Sequence, residues 1–395
     1  TLVPQGKVDV NMARPPLRSW LFPACLLPFF LTVTAVDAAV RPTVIAVNEA
    51  TPAWDAPQFV EADGAGNVFF FRGDTLEVYP LLKEGGFGKP SRLKTTVSSP
   101  RNVSNAALSP AGDRWLVQDG RSVRLFVDGK EKLIPPLPWV PGSVGFRRGE
   151  PVVAVIPFPL GGNSVDVDKL GTPPWLMELD NDKAWDSFVD SKGKTAAEIL
   201  ETLKTGEFNR ILADSTAFMT ADRQGKLWVA KGYSYRVQRY SLGGRLLYEI
   251  VVGDGKVREK PKKSQEIEIA RRSPTQNPTE ATRDPAQEKG SYFAFTAEPA
   301  IFDLAEGRDG KLYLLTRTET GAAALDRYDP VESILERILL QMKTEGRFTM
   351  AAGKDGLYLA AWNGKQGRWK LAWETLEQAD WEEVKADVSG TSREE

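Results

Sequence analysis

Hydrophobic and polar residues alternate along most of the chain in short stretches, and turn residues separate one stretch from the next. The pattern is clearest over residues 214–253, where four such stretches cover 216–221, 226–231, 236–241 and 245–252. Alternation with a period of two is typical of β-strands, and short glycine-containing turns between alternating stretches indicate antiparallel hairpins. The pattern therefore predicts a four-stranded antiparallel sheet in this part of the chain.

The same unit recurs along the chain, with a glycine in the first turn of each copy. These turn glycines are Gly66, Gly112, Gly149, Gly225, Gly310 and Gly356. Three of the steps between them are 46, 37 and 46 residues, and a period in the forties with four strands per unit is typical of a propeller blade. The sequence thus predicts a single all-β domain, a six-bladed β-propeller over residues 40–388 followed by a polar tail, 389–395.

The two longer steps, of 76 and 85 residues, indicate insertions between blades. Residues 194–213 carry apolar residues at spacings of three and four, which predicts an inserted amphipathic helix. Residues 254–290 contain no aromatic residue and are rich in charged residues, Pro and Gln, which predicts a long disordered loop. Two ways of closing the ring stay open: residues 43–47 complete the last blade, or residues 381–386 supply its outer strand.

The unit over 214–253 also resembles a known repeat. It reads Gly-Lys-Leu-Trp-Val from Gly225, and then Tyr-Arg-Val-Gln-Arg-Tyr-Ser-Leu-Gly from Tyr235. This resembles the NHL-type repeat of six-bladed propellers, whose fold is of the TolB-like and SMP-30-like kind. The likeness extends, in weaker form, over residues 301–360.

The N-terminal residues have the pattern of a signal peptide. Arg14 and Arg18 precede an apolar run over 20–36, and small residues at Val36 and Ala38 fit cleavage after Ala38. We therefore expect residues 1–38 to be an upstream extension with a signal peptide, and the mature protein to be secreted or periplasmic. A retained membrane anchor and a buried helix are the alternatives for the apolar run.

Composition excludes several kinds of site. The chain has no histidine, which excludes catalytic triads and metal sites built on imidazole. Its one cysteine, Cys25, lies within the predicted signal peptide. The formal net charge of −2 argues against nucleic acid as a partner. No metal motif is recognisable, and we predict no cofactor and no membrane span after signal cleavage.

The resemblance adds one alternative. Propeller enzymes such as the gluconolactonase-like hydrolases hold Ca²⁺ in the central channel with oxygen ligands on or before the inner strands. Residues at comparable positions here are Asn105, Asp214, Glu298 and Arg347. Oxygen ligands suit Ca²⁺, but an arginine in the channel would oppose it. These four are therefore candidate ligand-binding residues of the channel, and catalytic residues stay unknown.

Two tryptophans lie in proline-rich segments, Trp139 after Pro-Pro-Leu-Pro and Trp175 after Pro-Pro. Prolines limit strand pairing there, so these residues are candidates for a recognition surface at a blade edge.

The function predicted on this basis is an exported, non-catalytic binding or scaffold propeller that recognises a protein or small-molecule partner at one end of the channel. The main alternative is a calcium-dependent hydrolase of the gluconolactonase-like type, and a structural part of a cell-envelope complex is a third. Whether the protein is an enzyme stays open, although the absence of a catalytic motif argues against it.

Overall fold

The computed structural model describes residues 39–44, 58–72, 75–82, 87–94, 103–160, 171–190, 193–202, 207–257, 298–342, 347–362 and 367–390. Residues 1–38, with the predicted signal peptide, lie outside this set, as does the predicted disordered loop apart from its first four residues. Strands are numbered in chain order, and they form six antiparallel sheets, the blades of a six-bladed β-propeller.

Each blade has four strands that follow one another in sequence, apart from the last. Blade 1 contains β2 (Gln58–Ala62), β3 (Val68–Arg72), β4 (Thr75–Tyr79) and β5 (Ser91–Lys94). Blade 2 contains β6 (Val103–Leu108), β7 (Arg114–Asp119), β8 (Ser122–Val127) and β9 (Lys130–Lys132). Blade 3 contains β10 (Trp139–Arg147), β11 (Glu150–Pro159), β12 (Pro174–Asp180) and β13 (Ala184–Asp190).

The second half of the ring repeats this arrangement with additions. Blade 4 contains β14 (Ala217–Ala221), β15 (Leu227–Lys231), β16 (Arg236–Tyr240) and β17 (Leu246–Val252). Blade 5 contains β18 (Ile301–Glu306), β19 (Leu312–Arg317), β20 (Ala323–Asp329) and β21 (Ile334–Leu339). Blade 6 contains β22 (Arg347–Ala352), β23 (Gly356–Trp362), β24 (Gly367–Ala372) and the N-terminal β1 (Thr43–Val44).

The ring closes through its N-terminus. β1 pairs antiparallel with β24, so the start of the domain supplies the outer strand of the last blade, as the first of the two predicted arrangements requires. The C-terminal segment has a different role: β25 (Glu382–Glu383) pairs with β21, and β26 (Ala386–Gly390) pairs with β17. It therefore covers the outer edges of blades 5 and 4, where unpaired strand groups would otherwise face solvent.

The hydrophobic core is divided into six clusters among the described residues, and each cluster fills one interface between neighbouring blades. The cluster between blades 6 and 1 joins Val60 and Phe70 to Tyr358 and Ala360. Both faces of each blade are thus buried, which explains why strands such as β15 and β19 are apolar on both sides.

Five of the six repeat glycines adopt positive φ, between 76° at Gly225 and 88° at Gly66. That conformation favours glycine and explains the recurrence of the residue in the first turn. Gly356 has a different role. A side chain at this position would collide with the backbone of β24 at Leu371, so glycine here permits close strand approach.

The predicted single helix over 194–213 is instead two helices between blades 3 and 4, α1 (Ala196–Glu201) and α2 (Glu207–Ser215). Thr195 and Glu198 form a reciprocal capping box at the start of α1: the Thr195 amide donates to the Glu198 carboxylate over 2.7 Å, and the Glu198 amide donates to Thr195 Oγ1 over 3.3 Å. A third short helix, α3 (Trp373–Glu377), follows β24. No helix of the described residues is long and apolar enough to span a bilayer.

Candidate functional site

A cavity lies in the central channel, at the end where the inner strands begin. Each blade contributes its first strand to the wall: β2, β6, β10, β14, β18 and β22. The centre of a water molecule can reach about 100 Å³ of this space, which is room for several waters or a small organic molecule. We call this cavity the channel mouth.

Apolar side chains form much of the wall. Phe59, Phe302 and Phe348 turn most of their surface into the interblade core, with 4–5% of each exposed. Phe218 and Met219 on β14 are more exposed to the channel mouth. The wall thus combines apolar side chains with polar groups, as small-molecule sites do.

Two carboxylates face this apolar wall, Glu61 on β2 and Asp303 on β18, and both are half-buried. Backbone amides hold Asp303 in place, since Leu304 N donates to Oδ1 over 2.9 Å and Met350 N donates to Oδ2 over 2.7 Å. Burial nevertheless raises the pKa of Asp303 to about 7, against the opposing effect of these two bonds. The pKa of Glu61 is also raised well above its usual value, first by burial and then by repulsion from Asp303.

β22 of blade 6 runs between the strands that carry the two carboxylates. Thr349 Oγ1 accepts a hydrogen bond from Val60 N over 3.0 Å, and the next residue, Met350, is the one that donates to Asp303. These adjacent contacts hold Val60 on β2 and Asp303 on β18 at the same level of the channel. These two hydrogen bonds explain why Glu61, next to Val60, is close enough to Asp303 for electrostatic repulsion.

Elsewhere in the wall of the channel mouth, Asn105 of blade 2 donates from Nδ2 to Ser143 Oγ of blade 3 over 2.7 Å. Asn105, Ser143 and Asp303 share a backbone feature. Each directly follows a shift of register on its inner strand, between Val103 and Asn105, between Pro141 and Ser143, and between Ile301 and Asp303. Such bulges redirect side chains and are enriched beside functional sites.

Of the four channel residues predicted from sequence, Asn105 lines the channel mouth, and Asp214 and Glu298 do not. Asp214 lies in the last turn of α2, where it accepts a hydrogen bond from Lys231 Nζ over 2.7 Å. Glu298 precedes β18 outside the cavity wall. The backbone of Arg347 begins β22, and its side chain lies outside the described part of the structure.

Sequence reasoning missed Glu61, Asp303, Ser143 and Thr349. A weak signal for the carboxylates was available. Val60-Glu61-Ala62 and Phe302-Asp303-Leu304 each place one acid within an otherwise apolar inner strand. Burying a carboxylate in a strand with two apolar faces costs free energy. An acid retained at such a position is therefore a candidate functional residue.

The two candidate recognition tryptophans have different locations. Trp139 is 3% exposed and packs in the core between blades 2 and 3, so it cannot serve as a recognition surface without leaving the core. Its ring fills space at the bulged start of β10, which the local proline pattern does not reveal. Trp175 is half-buried against the interface of blades 3 and 4, and Lys231 Nζ lies 5.2 Å from its ring centre. The prediction for Trp175 stays untested.

No family model matches the chain, and no curated protein matches it. Solved structures similar to it include virginiamycin B lyase from Staphylococcus aureus, with 12% identity, 81% of this chain and 83% of that chain covered, and a TM-score of 0.43. Regucalcin, a calcium-binding protein from Agrobacterium tumefaciens, has 13% identity, coverage of 90% and 99%, and a TM-score of 0.43. The PQQ domain of pyranose dehydrogenase from Coprinopsis cinerea has 12% identity, coverage of 84% and 98%, and a TM-score of 0.42.

Proposed function

We propose that this protein is an exported, non-catalytic binding module of the NHL-type propeller class, which holds a small-molecule partner in the channel mouth. The observation that carries the proposal is the cavity itself. All six inner strands contribute to its wall, and polar side chains from several blades converge there beside apolar ones. Convergent polar groups in a concave apolar site provide orientation and specificity for a ligand.

Two features favour a binding role over a catalytic one. Asn105 and Ser143 bond to each other, and Asp303 is held by two backbone amides, so each of these groups is fixed in place. Among the residues described, no nucleophile with an adjacent base lines the channel mouth, which is the arrangement that covalent catalysis requires. Fixed polar groups are suited to recognition, because little conformational entropy is lost when the ligand binds.

The test is a thermal-melt screen of the protein against small cations, anions and neutral compounds. A ligand at a hundred times its dissociation constant adds about 2.7 kcal/mol to the stability of the native state. The variant Met219→Trp fills the channel mouth, and Leu133→Trp adds the same ring at a position that is 94% exposed. We expect a stabilising compound to act on the wild type and on Leu133→Trp but not on Met219→Trp. Equal responses in all three proteins would refute binding at the channel mouth.

The second candidate is a calcium-dependent hydrolase, and the Glu61–Asp303 pair favours it, since carboxylate oxygens are suitable Ca²⁺ ligands. The fit is poor, however. Ca²⁺ takes six to eight oxygens, and no group of three or more acidic, histidine or cysteine side chains that could hold a metal occurs among the described residues. The test is a thermal melt with EDTA and then with added Ca²⁺. A calcium-dependent rise in melting temperature that Glu61→Gln removes would favour the hydrolase over the binding module.

A further inference from the structure

Glu61 is a carboxylate of the channel mouth whose described neighbours do not compensate its charge. Among the described residues, no group donates a hydrogen bond to the carboxylate of Glu61, and no cation pairs with it. Its described electrostatic neighbour is Asp303, which repels it. An ionised carboxylate in an apolar site is costly unless a donor or a positive charge compensates it. The described residues of the site thus include no donor with positive charge, and a ligand can provide one.

The other described residues of the channel mouth do not supply a positive charge either. The cavity wall includes no lysine or arginine among the described residues. Arg317 lies behind the wall, with its guanidinium carbon 5.2 Å from the centre of the Phe302 ring, and it does not line the cavity. Phe218 and Tyr233 are partly exposed to the channel mouth, and aromatic faces attract organic cations. The carboxylates and the aromatic side chains of the wall therefore both favour an organic cation as the ligand.

We propose that the channel mouth binds a small organic ammonium compound, whose ammonium group lies between Glu61 and Asp303 and whose apolar body packs on Phe218 and Met219. This inference rests on the proposed function and specifies its ligand class. An ammonium group donates up to three hydrogen bonds, so it can bond to both carboxylates and offset their repulsion. A metal ion requires a larger set of charged ligands, and no group of three or more acidic, histidine or cysteine side chains that could hold one occurs among the described residues.

The test uses three probes of equal length and different charge: n-butylammonium, n-butanol and butyrate. Binding is measured by isothermal titration calorimetry at pH 8.5, where Asp303 is ionised and the ammonium probe stays charged. The wild type should bind n-butylammonium at least tenfold more tightly than n-butanol and should not bind butyrate measurably. Glu61→Gln removes one of the two carboxylates while keeping its shape, and should weaken n-butylammonium roughly ten- to hundredfold.

Control variants distinguish a failure of the ammonium inference from a failure of the proposed binding function. Glu382→Gln makes the same chemical change at an exposed position of β25 and should leave binding unchanged. Asp303→Asn is the second variant if Glu61→Gln folds poorly, as judged by its melting curve. If n-butanol or butyrate binds instead and Met219→Trp abolishes it, the ammonium inference is overturned and the binding module stands. If no probe or screened compound is sensitive to Met219→Trp, the proposed function itself fails.

Discussion

Asp303 offers a sharp test of the chemistry at the channel mouth, through the pH dependence of stability. Burial raises its pKa to about 7, from an ordinary value of 3.8. The native state then holds a proton on Asp303 at pH values where the unfolded chain has released it. A native state that binds more protons becomes less stable as pH rises, here between about pH 4 and pH 8.

The size of the effect follows from the displacement of the pKa. Each tenfold change in proton affinity corresponds to about 1.4 kcal/mol, so Asp303 destabilises the native state at pH 9 by up to about 4 kcal/mol relative to pH 4. Glu61 contributes with the same sign, since its pKa is raised as well. Asp303→Asn removes this dependence, although it also disturbs one of the two backbone hydrogen bonds at every pH, at a cost of about 1–3 kcal/mol.

The assay is urea unfolding of the wild type and of Asp303→Asn at pH 5, 7 and 9. We expect the variant to be less stable than the wild type at pH 5 and to equal or exceed it at pH 9. Asp186→Asn, at an exposed position on β13, is the matched control and should show no such crossover. A constant difference between wild type and Asp303→Asn across this range would refute the assignment of a raised pKa to Asp303.

Three further predictions concern closure, packing and export. Arg368 on β24 of blade 6 forms an ion pair with the fully buried Glu77 on β4 of blade 1. Arg368→Met removes this cation and should cost about 3–5 kcal/mol in urea unfolding, whereas Arg92→Met removes a partner that is 58% exposed and should cost less than about 1 kcal/mol. Equal costs would contradict the role of the Arg368–Glu77 pair in joining the last blade to the first. Trp139→Ala should cost about 3–5 kcal/mol, because the ring lies in the core between blades 2 and 3, and a near-neutral result would contradict that location. N-terminal sequencing of the exported protein should begin at Ala39, and an intact N-terminus would rule out cleavage after Ala38.

The fold was predictable from sequence because its signals are local and repeated. A glycine with positive φ recurs in the first turn of five blades, and the alternating strands on either side are apolar on both faces. The helical insert was predicted in the correct place but as one helix, since the spacing of apolar residues continues from α1 into α2. The Thr195–Glu198 capping box marks the start of α1 in the sequence itself.

The site was less predictable, because it depends on which residues of distant strands face each other. Glu61 and Asp303 are far apart in the chain. They come near each other because β2 and β18 each form a hydrogen bond between side chain and backbone with β22. The register shifts before Asn105, Ser143 and Asp303 also have no simple sequence signature. Asn105, predicted from its position on an inner strand, lines the cavity, whereas Asp214 and Glu298 do not.

The most direct test of the central claim is a crystal structure of the protein grown with saturating n-butylammonium. The account predicts electron density for one probe molecule in the channel mouth, with its nitrogen within hydrogen-bond distance of both Glu61 and Asp303. A channel mouth that contains only water, with the probe bound elsewhere or not at all, would contradict the claim that this cavity is the ligand site.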